Sequence, residues 1–216
     1  MSTRSRLTMV VLGLTLAAAS ARAQSASVST AQWPAALRER VDRIADSAKV
    51  QRIPTEPLYA KAAEGVLKGA DEARIVQAVT RLAQDLRDAR AALGPSATDA
   101  ELVAGASVIH SGMDVPALRK FFSTREARPQ SESFVMPLVV LSDLLARRVT
   151  QDVATASLSN LLERGAKDAE LTSLRRDIER DISGGQSPDV AARMRTDAAL
   201  ATLPAANRGI RRPPSA

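Results

Sequence analysis

A short pattern that recurs along this chain limits what it can fold into. A Gly or Arg ends an apolar segment, a short link follows, and an Asp, Thr, Ser or Pro precedes the next segment. A glycine there can adopt the left-handed conformation that closes a helix, and the Asp, Thr or Ser oxygen can accept from free amides of the next helix. The pattern predicts tight helix-helix corners. The corner residues are Gly69, Asp71, Gly112, Asp114, Thr150, Gly165, Gly185 and Ser187.

Between these corners the apolar residues are spaced as in helices. The clearest stripe runs from Ile75 to Leu93 in steps of three and four, and predicts one long helix that begins after Asp71 and stops at Gly94. The segment Thr98–Glu101 then has the pattern of a capping box, which begins a second helix. No window alternates with the two-residue period of a strand. We therefore predict an all-α fold.

The spacing of the corners suggests a repeat. Gly69, Gly112, Arg148 and Gly185 follow one another at intervals of 43, 36 and 37 residues. Two-helix units of about 34 to 47 residues are typical of helical arrays. The aromatic and Pro positions of tetratricopeptide repeats are absent, so no repeat family is indicated. We predict one domain over residues 34–203, with about eight to nine short helices arranged as helix hairpins, in an α-solenoid-like array or a compact bundle.

The two ends of the chain are predicted to lie outside this domain. Arg4 and Arg6 precede an apolar run, and Ala21–Ala23 has the small-x-small pattern of a cleavage site, so residues 1–23 read as a secretory signal peptide. The alternative is a retained membrane anchor, but the run is shorter than the roughly 20 residues that a spanning helix needs. Residues 24–33 form a short linker. The Pro- and Arg-rich tail over 204–216 is typical of disorder.

Composition narrows the functional classes. The sequence contains no cysteine, so an exported product that is periplasmic or secreted depends on its apolar core and not on disulfides. The formal net charge of +6 comes from arginines in the leader and the tail, which leaves segment 24–204 with equal numbers of acidic and basic residues. With only five aromatic residues as well, a nucleic-acid partner is not expected. The basic tail predicts at most a weak contact with an anionic surface.

His110 is the only histidine, so any imidazole base or histidine metal ligand must use it. Ser111 and Asp114 are near in sequence, but neighbours at one helix end need not align as nucleophile and orienting acid. A structural role is favoured, because a cation in the last turn before Gly112 suits the helix dipole. Without cysteine, and with one histidine, a zinc or copper site is not expected. No common catalytic or calcium-binding motif occurs, so we predict no cofactor and no enzyme activity.

Two acidic residues remain as weak functional candidates. Asp143 lies inside the most apolar segment, Phe134 to Val149, where it marks either a hydrated stripe or a buried polar contact. Asp181 lies near a helix end whose dipole it opposes, and we expect it to pair with Arg193 or Arg195.

The favoured hypothesis is a non-catalytic module, exported to the periplasm, that binds another envelope protein or a peptide through stacked helix pairs. The alternative is a small-ligand-binding protein or an enzyme whose pocket lies near Asp143 and is closed by the loop at 123–131. After cleavage of the leader, no transmembrane span is predicted.

Overall fold

The structure is a computed structural model that describes residues 33–127 and 132–203. These two stretches contain nine α-helices, one short 3-10 helix and no strand, which confirms the all-α prediction. The helices are α1 (Ala35–Val50), α2 (Glu56–Leu67), α3 (Glu72–Leu93), α4 (Asp99–His110), α5 (Val115–Phe122), the 3-10 helix (Ser123–Ala127), α6 (Val135–Ala146), α7 (Gln151–Glu163), α8 (Asp168–Ser183) and α9 (Pro188–Thr202).

Several predicted features fall outside the described residues. They are the signal peptide at 1–23, most of the linker at 24–33, and the whole of the tail at 204–216. Trp33, the last residue of that linker, is described, and its side chain is buried in the core. In the stretches that the structure describes, no helix has the length and hydropathy needed to cross a membrane.

The corners close the helices with a shared pair of backbone hydrogen bonds. At the end of α4, Gly112 has φ +104°, and its N–H donates to the carbonyl of Ile109 at 2.9 Å. The N–H of Met113 donates further back, to the carbonyl of Val108 at 3.4 Å, and the Met113 side chain is buried. This is the Schellman arrangement, which satisfies carbonyls that a helix end leaves free. Equivalent bonds close α1, α2, α6, α7 and α8.

Two of the corner acids begin the next helix with a side-chain cap. The Asp71 carboxylate accepts from the N–H of Arg74 at 2.9 Å, and Asp114 accepts from the N–H of Ala117 at 2.7 Å. Each bond satisfies one of the four amides that have no partner inside the helix.

Thr150 and Ser187 occupy the same position before α7 and α9, but their side chains make no capping bond. The expectation of a side-chain cap is therefore wrong at both. At Thr150 the physical reason is a competing acceptor: its N–H and its hydroxyl both donate to the carboxylate of Asp189, at 2.7 and 2.9 Å. Asp189 lies in the first turn of α9, so this contact ties the α6–α7 corner to a helix 39 residues further along.

Each helix packs mainly against the next helix along the chain or the one after it. α3 contacts α1, α2, α4 and α5, while α4 also packs on α6. α6, which the sequence predicts to be covered on several sides, packs on α4, α7 and α8, and α9 packs on α7 and α8. The core is built mostly from Leu, Val, Ile and Ala.

Glu101 joins three segments through one buried carboxylate. Its side chain is only 1% exposed. One oxygen accepts from the N–H of Thr98 at 3.0 Å, which completes the predicted capping box at the start of α4. The other accepts from the N–H of Phe134, at the start of α6, at 3.1 Å, and from the guanidinium of Arg125 in the 3-10 helix. The carboxylate thus holds the N-terminal end of α4 beside the N-terminal end of α6.

The aromatic rings pack around the same junction. Phe121 and Phe122 both contact Phe134, with ring centroids 5.6 and 5.2 Å apart, and Arg125 lies over the Phe122 ring at 5.5 Å. The segment 123–131 was expected to be a loop, but its first five residues form the 3-10 helix. Its position against the rings and against Glu101 accounts for that difference.

The hydrogen bonds around Glu101 favour its ionised form, and that form therefore contributes to the stability of the fold. Burial on its own raises the pKa of this carboxyl, but hydrogen bonds from Thr98, Phe134 and Arg125 outweigh burial and hold the pKa below its usual range. A carboxyl with a lowered folded-state pKa stabilises the fold above its unfolded pKa, about 4.3 for Glu. That contribution is lost as pH falls through the folded-state pKa.

Two substitutions, one at each of two corners, test whether positive φ limits stability. Arg148 and Gly165 occupy equivalent positions, with φ of +69° and +80°. Since an L side chain at positive φ costs about 1 kcal/mol, Gly165→Ala should lower the free energy of unfolding by about that amount. A Cβ at Gly165 meets nothing within 4 Å, so the loss comes from the backbone alone. Arg148→Gly should give a smaller gain, because glycine also frees the unfolded chain. Urea denaturation measures both, and a less stable Arg148→Gly variant would contradict this account.

Glu101→Gln should destabilise the fold by about 3 kcal/mol at neutral pH, because it leaves the Arg125 guanidinium without its buried counter-charge. The difference between parent and variant should shrink as pH is lowered below the pKa of unfolded Glu. Urea midpoints measured from pH 7 to pH 3 check both statements. Glu163→Gln, at an exposed site on α7, is the matched control and should change little. A constant difference across the pH range would show that the carboxylate charge is not what matters.

Candidate binding groove

The outward face of α4 forms the base of a groove. Ala100, Val103, Ser107 and His110 recur every three or four residues, and all four are exposed. The helices on either side are α2 and α6. α2 and α4 both pack on α3 but make little contact with one another, which leaves the space between them open. The groove along this face is called the α4 groove below.

One end of the α4 groove lies at the corner between α1 and α2. A hollow of about 930 Å³ is lined there by residues 52–57, by Val103 and Ser107 of α4, and by Val135 and Val139 of α6. The two α6 valines are four residues apart, so they lie on one face of that helix. This end combines apolar side chains with a balanced set of charges from Lys49, Arg52, Glu56 and Asp99.

The other end lies at the C-terminus of α4. A hollow of about 580 Å³ is lined there by α2, α3, α4 and α6, and most of its lining is apolar. Ala78 and Leu82 of α3 and Ala106 of α4 supply apolar surface. Ser107 lines both hollows, so the two ends of the groove meet at this residue. The hollow at this end is called the His110 hollow below.

Charged side chains at the His110 hollow are mostly cationic. Lys61 and Arg81 line it, and the one lining carboxylate belongs to Asp85. Lys61 also contacts Glu64, one turn along α2, at 2.9 Å. Arg81 is exposed and makes no ion pair with any residue that the structure describes. At this end Arg81 is therefore the lining cation without an ion-pair partner among the described residues.

His110 is bound by an acid from another helix. Its Nδ1 lies 2.9 Å from Oδ2 of Asp85, whose side chain is 12% exposed, while the His110 side chain is 62% exposed. A carboxylate only accepts hydrogen bonds, so Nδ1 carries a proton and the neutral ring has its free acceptor at Nε2. The pairing fixes both the orientation and the tautomer of the imidazole.

Serine hydroxyls complete the His110 hollow. The Ser111 Oγ donates to the carbonyl of Ser107 at 2.9 Å and lies 3.2 Å from the Ser142 Oγ. Neither hydroxyl is hydrogen-bonded to His110, and the Asp114 carboxylate caps α5 instead. The three neighbours in sequence therefore do not form a Ser-His-Asp arrangement, and the site has the chemistry of binding more than that of nucleophilic attack.

The two weak acidic candidates lie in ion pairs outside the groove. Asp143 contacts Arg175 of α8 at 2.7 Å, with both side chains about one-third exposed, and it lines neither hollow. Both oxygens of the Asp181 carboxylate accept hydrogen bonds from Arg195 of α9, at 2.5 and 2.7 Å. Arg195 is one of the two partners expected for this acid. The Arg195 hydrogen bonds hold the pKa of Asp181 below its usual range.

Asp143 and the start of the 123–131 segment lie at different places among the described residues. Ser123 and Thr124 line a separate hollow against α7, and Asp143 is not part of it. The physical reason is the Glu101 junction, which holds the 3-10 helix on the side of α5 and α7. Among residues 33–127 and 132–203, no group of three or more acidic, His or Cys side chains is placed to hold a metal ion.

Sequence reasoning did not find Asp85, the residue that orients His110. The available signal was its position in α3: Ala78, Leu82 and Asp85 follow at intervals of four and three, which places the acid on a largely apolar face.

Comparisons with protein-family models, with curated proteins and with solved structures give no match for this chain. The functional argument therefore depends on the geometry of the groove.

The Asp85 contact predicts the tautomer of His110. At a pH where the ring is neutral, nitrogen-15 NMR should show the proton on Nδ1 and not on Nε2, because Nδ1 donates to the carboxylate. The only histidine of the chain gives a single set of imidazole signals. In Asp85→Ala this preference should disappear, whereas Asp88→Ala, one turn further along α3, should preserve it. A proton on Nε2 in the parent protein would contradict the pairing.

Proposed function

We propose that this chain is an exported, non-catalytic helical-repeat protein that binds a peptide segment of another envelope protein in the α4 groove. One observation carries the proposal: two hollows that share Ser107 lie along α4 between the α1–α2 corner and His110, and residues of α2, α4 and α6 line both of them. Such grooves between helices are common sites for peptide recognition.

The dimensions of the groove suggest the length of the peptide. α4 has 12 residues. At a rise of 1.5 Å per residue it is roughly 18 Å long. An extended chain advances by about 3.3 to 3.6 Å per residue, so about five residues of an extended peptide would occupy it. Val103, Val135 and Val139 offer apolar contacts near one end, where an alternate pair of peptide side chains could pack.

Two observations support the helical-repeat part of the proposal. The corners after α1, α2, α4, α6, α7 and α8 have the same hydrogen-bond pattern, which is consistent with a repeated unit. Packing between helices that are one or two positions apart is also the pattern of a stacked array. A binding role without catalysis is supported by the hydrogen bonds of Ser111, which lead away from His110.

Export is supported by the leader sequence alone. Expression of the full chain in a bacterial host should give a product in the periplasm or medium whose first residue is Gln24, which N-terminal sequencing checks. A product that keeps Met1 would contradict cleavage. The contact of the 204–216 tail with anionic surfaces stays a prediction, and deletion of Asn207 to Ala216 followed by vesicle binding would test it.

Substitution of Val103 tests the groove as the peptide site. Peptides of five to eight residues selected from a random display library on the purified chain should lose at least tenfold in affinity to Val103→Arg, because the new side chain fills the groove and adds a charge. Val190→Arg is the matched control: Val190 is also an exposed valine, at 51% against 38% for Val103, and lies on α9, away from the groove. Isothermal titration measures both. Equal loss in both variants, or none in Val103→Arg, would exclude the α4 groove.

A further inference from the structure

We infer that the His110 hollow binds a carboxylate attached to an apolar group, and that its source is the C-terminal residue of the peptide in the α4 groove. The part that concerns the peptide rests on the function proposed above. A free aliphatic carboxylic acid has the same chemistry, so the experiment below separates the two sources.

Charge favours an anion at this end of the groove. Arg81 is exposed and without an ion-pair partner among the described residues, and Lys61 lines the hollow beside it. The single lining carboxylate, Asp85, already accepts from His110. A carboxylate of the ligand would therefore meet Arg81, which has no ion-pair partner among the described residues, and Lys61, whose ion pair with Glu64 it would share. Arg is well suited to this task because its guanidinium can bond both oxygens of one carboxylate.

Hydroxyl and imidazole groups add donors at the same place. Ser111 uses its hydrogen on the carbonyl of Ser107, so Ser142 is the donor in the serine pair and can turn its O–H to a ligand oxygen. A carboxylate can bond to Nε2 of His110 only when the ring carries a proton on both nitrogens. Asp85 accepts from Nδ1 in that form as well. The ring would then lie between two carboxylates, that of Asp85 and that of the ligand.

The rest of the hollow fits an apolar side chain. Ala78, Leu82 and Ala106 line it, and its accessible surface is mostly apolar. A C-terminal residue such as Leu would place its side chain against these residues and its carboxylate near Arg81. Because Ser107 belongs to both hollows, the preceding residues of the peptide would continue along α4 toward Val103. The arrangement thus gives the bound peptide a direction, with its C-terminus at His110.

Three probes test the inference on the exported chain labelled with nitrogen-15: the peptide acetyl-Ala-Ala-Ala-Ala-Leu with a free carboxylate, the same peptide with a C-terminal amide, and hexanoate. The imidazole signals of His110 report occupancy and protonation together. We expect the free peptide to bind at least tenfold more tightly than the amide and to change these signals on binding. Hexanoate should cause the same spectral change at higher concentration, because it lacks the contacts along α4.

Variants assign the effect to the cations. Arg81→Gln should reduce the preference for the free peptide over the amide by at least fivefold, and Lys61→Gln should act in the same direction. Arg176→Gln removes an exposed arginine from α8 and is the matched control, which should leave the preference unchanged. Circular dichroism of each variant excludes loss of the fold as the cause.

The outcomes are distinguishable. Equal affinity for the free peptide and the amide, with loss of both in Val103→Arg, would overturn the carboxylate inference and leave the peptide groove intact. Hexanoate binding as tightly as the free peptide, with no effect of Val103→Arg, would support the carboxylate site but identify its ligand as a free acid, against the proposed function. Absence of any change at His110 with all three probes would overturn the inference.

Discussion

The buried carboxylate of Glu101 connects three segments of this protein that are distant in sequence. It accepts from Thr98, the N-cap of α4, from Phe134, the residue before α6, and from Arg125 in the segment between α5 and α6. A buried carboxylate without these donors would be expensive, so the three segments must arrive together for any of them to be stable. These contacts hold the start of α6, one of the two walls of the α4 groove, beside the start of α4.

How much of this could be predicted from the sequence depends on how local the interactions are. The corner at Gly112 depends on residues within six positions, and the cap at Asp71 on residues within three, so the sequence predicts both. Glu101 was recognised only as part of a capping box. Its other two partners lie 24 and 33 residues further along, and no pattern in one sequence relates them. The missing cap at Thr150 has the same cause, since Asp189 lies 39 residues further along.

The candidate site shows this limit more clearly. His110 was singled out because it is the only histidine, and its neighbours Ser111 and Asp114 were weighed as partners, but the acid that binds it comes from α3. Asp143 and Asp181 were prominent in sequence because acids there are unusual, and both lie in ion pairs with arginines of other helices. An unusual residue therefore indicates that a contact exists, while the groove itself is formed by ordinary alanines, serines and valines that carry no such signal.

The contact between Thr150 and Asp189 has a consequence for motion. α9 leaves Val190 and Met194 partly exposed and is the last helix of the described residues, a position from which a helix can fray. Its first turn, however, holds the amide that begins α7. Detachment of α9 would leave that amide without its acceptor, so the last helix and the start of α7 should open and close as one cooperative unit, away from the half of the molecule that contains the groove.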